Sequence, residues 1–275
     1  MRIHSLAIVA IVAIVALATT AAAPPASVPP PQATEAAAES FERDWPPFIA
    51  ALEQAVLDGD TEHIRAARAR LQPWATSAPL PRRALVHYAF AYACWRLSFM
   101  PATAKKERET LYEEALEHLR EAVRIQPRWA ESQALLASIY GAQIGLSPMR
   151  GMTLGPRAGN LMDEALELAP QNPRVALQQG ISHFHTPSMW GGGLDKAEVE
   201  LRRAIALFAS EPADRPWPNW GRFDAHAWLG QALAKKGDRE GARREYEAAL
   251  RIAPRSGWVT HVLLPKVQGD SKPTE

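Results

Sequence analysis

Residues 223–254, FDAHAWLGQALAKKGDREGARREYEAALRIAP, constrain the fold more than any other part of this chain. In the first half Ala225, Trp228, Leu229, Ala232 and Leu233 recur at steps of three and four, which places them on one face of a helix. Gly230 lies on that face beside Leu229, where a missing side chain lets a neighbouring helix come close. Lys235-Lys236-Gly237-Asp238 then supplies a stop and a start. Lysines suit the negative C-terminal end of a helix, glycine suits the position just past it, and aspartate caps the next one. Ala242, Tyr246, Ala249, Leu250 and Ile252 make a second apolar stripe, until Pro254 forbids continuation. Two antiparallel helices of this length cannot bury their apolar faces alone, so such a unit must stack on others of its kind.

Counted from Phe223 as the first position, the signature places hold Leu229, Gly230, Leu233, Ala242, Tyr246, Ala249 and Pro254. The stretch resembles a tetratricopeptide (TPR) repeat, whose period is about 34 residues. His226 stands where that repeat usually has an early tryptophan, and Trp228 follows two places later. The resemblance implies an all-α fold, a TPR-like right-handed superhelix of stacked antiparallel helix pairs (an α-α solenoid). Looser matches extend it toward the N-terminus. Leu85, Tyr88, Ala89 and Tyr92, then Ala115, Leu119, Ala122 and Pro127, assign residues 81–127 to a first unit. Residues 128–170 form a second, marked by Leu136, Ala137 and Tyr140, with an inserted loop at 145–155 before Ala165 and Pro170. Residues 171–209 form a third, with Gly180, Ala197, Leu201 and Ala204 in place and a Gly-rich loop at 186–193. A loop at 210–222, SEPADRPWPNWGR, precedes the clearest unit, and residues 255–275 are expected to be a capping helix and tail.

Ahead of the repeats, residues 41–80 read as a helical hairpin or cap. There Pro46-Pro47 open a helix that runs through Leu57, residues 61–71 form its partner, and a proline-bounded loop runs from Pro73 to Pro81. Residues 1–22 have the plan of a secretory signal peptide: Arg2 and His4, an apolar run from Leu6 to Leu17, then small residues. An uncleaved membrane anchor is the competing reading, since about 20 apolar residues can span a bilayer. Residues 23–40, rich in proline and alanine, are expected to be a flexible linker. The segments TPSMWGGGLDKA, PNWGRFDAHAWLGQA and SGWVTHVLLP are similar to those of small exported bacterial TPR proteins, a resemblance that implies architecture and a periplasmic location but no activity.

Charge and motif content exclude several functions. Lys and Arg number 31 against 30 Asp and Glu, so no net basic field exists to hold nucleic acid. The single cysteine, Cys94, excludes an internal disulfide and a Cys-cluster zinc site. Gly191-Gly192-Gly193 precede a helix, but no strand comes before them and no Gly-Lys-Ser/Thr follows, so the phosphate-loop requirement fails. His183 and His185 diverge by about 200° on a helix and cannot face one metal together. No serine or cysteine stands in a recognisable nucleophile motif. No catalytic residue, cofactor or metal is therefore assigned.

The surface that can work is the groove. Stacked helix pairs curl, and the first helix of each pair lines the inner face. In the repeat frame the candidate groove residues are Arg83, Val86 and Phe90; Glu131 and Ser138; Arg174, Leu177, Ile181 and His185; and Asp224, Gln231 and Lys235. Trp190, Gly191, Gly192, Gly193, Trp217 and Trp220 make a candidate loop rim. This mixed apolar and charged lining suits a protein or peptide segment. The regular Lys, Arg and Asn set with which some TPR domains grip a terminal carboxylate is not visible. The chain is thus expected to be an exported, non-catalytic TPR scaffold. The alternative is an assembly subunit of a cell-envelope complex, packing through its convex face and loops. A homo-oligomer stays open, and membrane contact is expected only if residues 1–22 are retained.

Overall fold

The computed structural model describes residues 35–212 and 214–268; the expected signal peptide and most of the expected linker lie outside the described residues. The described elements are helices: α1 (Glu35–Asp58), α2 (Thr61–Ser77), α3 (Leu80–Ser98), α4 (Lys105–Ile125), α5 (Ala130–Leu146), α6 (Gly151–Leu168), α7 (Pro173–His185), α8 (Leu194–Ala209), α9 (Arg222–Lys236), α10 (Arg239–Ile252) and the short α11 (Pro265–Gln268). Single 3-10 turns at Pro148–Arg150 and Ser188–Trp190 interrupt two of the connections, and a π-helical turn, Val259–Leu263, precedes α11.

Consecutive helices pair as hairpins, α3 with α4, α5 with α6, α7 with α8 and α9 with α10. The last hairpin shows why. Gly237 takes a left-handed φ of 91°, its N–H reaches back to the α9 carbonyls, and the Asp238 side chain accepts from the Gly241 N–H at 2.8 Å. Within the pair, a Cβ added to Gly230 would collide with the Tyr246 ring, so the absent side chain sets the separation of the two helices. In the α7–α8 hairpin Gly180 meets Leu201 in the same manner.

The first helices of neighbouring hairpins run parallel. At their N-terminal ends Asn172 Nδ2 donates to Glu131 Oε1 at 2.7 Å, and further along Ser138 Oγ donates to Gln178 Oε1 at 2.6 Å. One apolar core runs from Phe41 to Leu264, with a smaller cluster where α5 and α6 meet the start of α7. The array curls until its ends meet: Arg255, past α10, donates from Nε to Asp58 Oδ1 at the end of α1, at 3.1 Å.

The structure corrects three expectations about boundaries. Helix α1 begins at Glu35, well before Pro46, so residues 35–40 are not linker. It continues through Pro46 and Pro47 because Phe41, Trp45 and Phe48 anchor it against Trp74, while both prolines and residues 42 and 43, whose carbonyls lose their helical donors, sit on the exposed side. Likewise α2 passes through Pro73 to Ser77, held by buried Leu71 and Ala75, leaving little of the expected 73–81 loop. The insertion placed at 145–155 shrinks to Ser147 and one 3-10 turn, because Gly151 already starts α6.

Candidate functional site

The inner face is already occupied. The segment between α8 and α9, residues 210–221, crosses it and places two tryptophans in a seat made by α1 and α3. Trp217 packs edge-on against Trp45, Tyr88 and Tyr92, and its Nε1 donates to Glu53 Oε1 at 2.7 Å. Trp220 lies against Tyr92 and Trp95 and donates to the Tyr88 hydroxyl at 3.2 Å. Both tryptophans are buried. Tyr92 donates its hydroxyl hydrogen to Glu53 Oε2 at 3.2 Å. Burial pushes the Glu53 carboxyl up to about 7, against the opposing pull of the Trp217 N–H and of the Arg96 charge.

Two sets of buried charges fasten the same segment. Arg174, only 1% exposed, reaches Glu211 through both terminal nitrogens at 2.6 and 3.0 Å, with Glu131 at 3.6 Å. Arg215 completes the set, donating to Glu131 at 2.8 Å and lying 3.2 Å from Glu211 in an ion pair. Half-buried Arg222 approaches Glu211 as well, at 3.9 Å, so three guanidinium groups surround the two buried carboxylates and leave neither unpaired. Across the face Arg96 donates to Asp224 at 2.5 Å, beneath the rings of Tyr92 and Trp95. An open cleft of about 620 Å³ remains between α1 and this segment, lined by Trp45, Ile49, Glu53, Trp217, Trp220 and Phe223 among others.

These contacts sort the candidate groove residues into three groups. Val86 and Phe90 do not line the groove: Phe90 stacks on His118 of α4 at 3.8 Å, and Val86 is wholly buried. Helix α3 is apolar nearly all round, and its inner face is the stripe Tyr88, Tyr92 and Trp95, of which the repeat frame assigns Tyr88 and Tyr92 to packing positions and not to the groove. Arg83 is half-buried and donates from Nε to the Ala78 carbonyl at 3.0 Å. Glu131, Arg174, Leu177, Ile181 and Asp224 are buried rather than open to solvent, Glu131, Arg174 and Asp224 in the charge sets above. Ser138 is half-buried and bonded to Gln178.

His185, Gln231 and Lys235 form the third group, at the C-terminal ends of α7 and α9. His185 packs against Trp228 at 5.3 Å, and Lys235 Nζ lies 4.1 Å from the centre of the Phe184 ring. Phe99, exposed at the end of α3, closes this corner with a 6.4 Å edge contact to Trp228. Gln231, one turn from Trp228 and one from Lys235, has a buried Nε2 that finds no acceptor; Gln178 Nε2 on α7 is in the same state. Buried amide donors of this kind are uncommon in folded proteins.

The expected rim divides too. Trp217 and Trp220 are structural, whereas Trp190 projects into solvent. The three glycine N–H groups beside it are engaged within the loop, with Ser188, Pro187 and His183 carbonyls, so they cannot cradle an anion. One pair escaped the sequence reading, His87 and His118, whose Nδ1 atoms lie 3.0 Å apart. Among the described residues no group of three His, Cys, Asp or Glu could hold a metal ion.

The tetratricopeptide repeat family model matches residues 223–256. This is a TPR fold. The HusA haemophore from Porphyromonas gingivalis resembles it with a TM-score of 0.55 and 24% identity, over 68% of this chain and 92% of that one. A thermophilic TPR protein from Thermus thermophilus resembles it with a TM-score of 0.54 and 20% identity, over 77% of this chain and 94% of the other. No curated protein sequence matches. The TPR fold is that of protein–protein interaction scaffolds.

Proposed function

We propose that the protein is an exported, non-catalytic TPR scaffold that takes a partner polypeptide in the open corner of its inner face, between Phe99, His185, Trp228, Gln231 and Lys235. The observation that carries this reading is the buried, acceptor-less Gln231 amide set beside exposed His185 and Lys235. The half-buried Gln231 side chain can turn its amide to a partner's backbone carbonyl, the aromatic walls give apolar contact, and Lys235 favours an acidic side chain or chain end. Export rests on the sequence of residues 1–22.

Binding in place of the segment 210–221 is excluded on energetic grounds. Burying a tryptophan removes about 150–250 Å² from water, worth about 4–6 kcal/mol apiece. A partner displacing residues 210–221 would have to offset two such rings and leave buried charges unpaired. Capture beside the segment is cheaper than capture in its place.

A photo-reactive amino acid at Gln231 should cross-link a polypeptide in intact cells, and the same probe at exposed Arg251 on α10 should not. Equal yields from both sites would remove the inner-face reading. Lys235→Glu should lower the yield without changing thermal stability. Solution mass is expected to be that of a monomer, and a stable oligomer at low concentration would favour the assembly alternative.

A further inference from the structure

The edge of the array where each first helix turns into its second is unlike every other surface. Met149, Met152, Met189 and Trp190 are 87, 89, 82 and 74% exposed, the largest values among the exposed large apolar residues. They come from two separate connections, α5 to α6 and α7 to α8. Because α5 and α7 run parallel, bonded at Glu131–Asn172 and Ser138–Gln178, both connections emerge at the same edge. The next turn joins them there, since Lys236 at the end of α9 donates to Asp195 and Glu198 at the start of α8, at 2.5 and 2.8 Å.

The charge left unpaired around these apolar tips is basic. From Ser147 to Met162 the chain carries Arg150 and Arg157 and no acidic residue. Lys196 donates to the Gly191 carbonyl, next to Trp190, at 2.8 Å. The nearby acids, Asp195 and Glu198, are already paired with Lys236. Long apolar side chains at the tips of turns, flanked by uncommitted cations, are the arrangement that enters a headgroup layer; a protein interface of similar size would bring a pocket or complementary acids.

We propose that this edge docks on an anionic lipid surface, with Trp190 and the three methionines entering the headgroup region and Arg150, Arg157 and Lys196 facing lipid phosphates. The inner-face reading plays no part in it. Trp suits the boundary because its ring is apolar and its N–H can remain solvated. The contact is reversible and weakens with salt, as surface electrostatics do.

The test exploits the buried state of Cys94, which leaves an introduced thiol as the accessible one for labelling. An environment-sensitive dye is attached to the full chain at Ser188→Cys, on the edge, or at Arg251→Cys, on the outer side of α10. Vesicles of phosphatidylcholine alone and of phosphatidylcholine with about one third phosphatidylglycerol are then titrated in. The expected result is a blue-shifted, intensified signal from position 188 with anionic vesicles, and little change with neutral vesicles or from position 251. Reversing Arg150, Arg157 and Lys196 to Glu should weaken the apparent affinity roughly fivefold or more per charge. Trp190→Ser with Met189→Ser should abolish the shift while leaving the melting temperature in place. A silent dye at 188, an equal response at 251, or an equal response to neutral vesicles would overturn the proposal. So would an edge dye that responds only to a protein partner.

Discussion

Two tryptophan-and-glycine segments, PWPNWG at 216–221 and SMWGGG at 188–193, have nearly the same composition and opposite fates. In the first, both indoles are buried and each N–H finds an acceptor, Glu53 or Tyr88. In the second, Trp190 stands in solvent while the glycines close the loop on itself through the Pro187 and His183 carbonyls. The difference lies in what surrounds them. Segment 210–221 is long enough to cross to α1 and α3, where an aromatic seat and paired charges await it. The shorter 186–193 connection bonds to its own preceding helix and has no seat within reach. A tryptophan beside glycine is thus a plug or a probe according to its neighbours.

The contrast can be broken by mutation. The largest effect is expected at Arg174, whose removal leaves Glu131 and Glu211 buried with only Arg215 bridging them. Arg174→Ala should cost about 3–5 kcal/mol in denaturant unfolding. Trp217→Ala or Trp220→Ala should cost about 3–5 kcal/mol each, against within about 0.5 kcal/mol for Trp190→Ala. Equal losses at the three tryptophans would erase the distinction. Gly230→Ala should cost about 1–3 kcal/mol by overpacking against Tyr246 and should lower the melting temperature.

A smaller, pH-dependent effect sharpens the same comparison. Glu53 holds its proton more tightly folded, at about 7, than in the unfolded chain. Its contribution is therefore fully present below the ordinary carboxylate range near 4.5 and is lost as pH rises through 7. Glu53→Gln should flatten that slope and raise stability above pH 7 by on the order of 1–2 kcal/mol. Urea midpoints from pH 4 to 8 for the parent and the variant would show it. No such change is expected from substitutions in the 186–193 connection.

Much of the architecture was legible before any coordinates. The steps of three and four from Ala225 to Leu233, the Gly237-Asp238 punctuation and the Gly230–Tyr246 spacing specify a hairpin locally, since caps and helix faces depend on residues close in sequence. Helix α3 was not legible in the same way. With apolar groups on every side, periodicity cannot say whether Phe90 or Tyr92 turns inward, and the repeat frame chose Phe90. The prolines at 46, 47 and 73 misled for a related reason: they read as boundaries, and distant aromatic contacts carry the helices through them.

The candidate site divided along the same line. His185, Gln231 and Lys235 were visible as first-helix positions and remain accessible or half-buried. Glu131, Arg174 and Asp224 were visible too, but their partners Arg215, Glu211 and Arg96 lie 84, 37 and 128 positions away. By itself the sequence determined the helical hairpins and their stacking, because propensity, capping and close helix packing act over a few turns. Only the tertiary structure decided that the chain fills most of its own groove, because closing the inner face depends on contacts between segments that the curl of the whole array brings together.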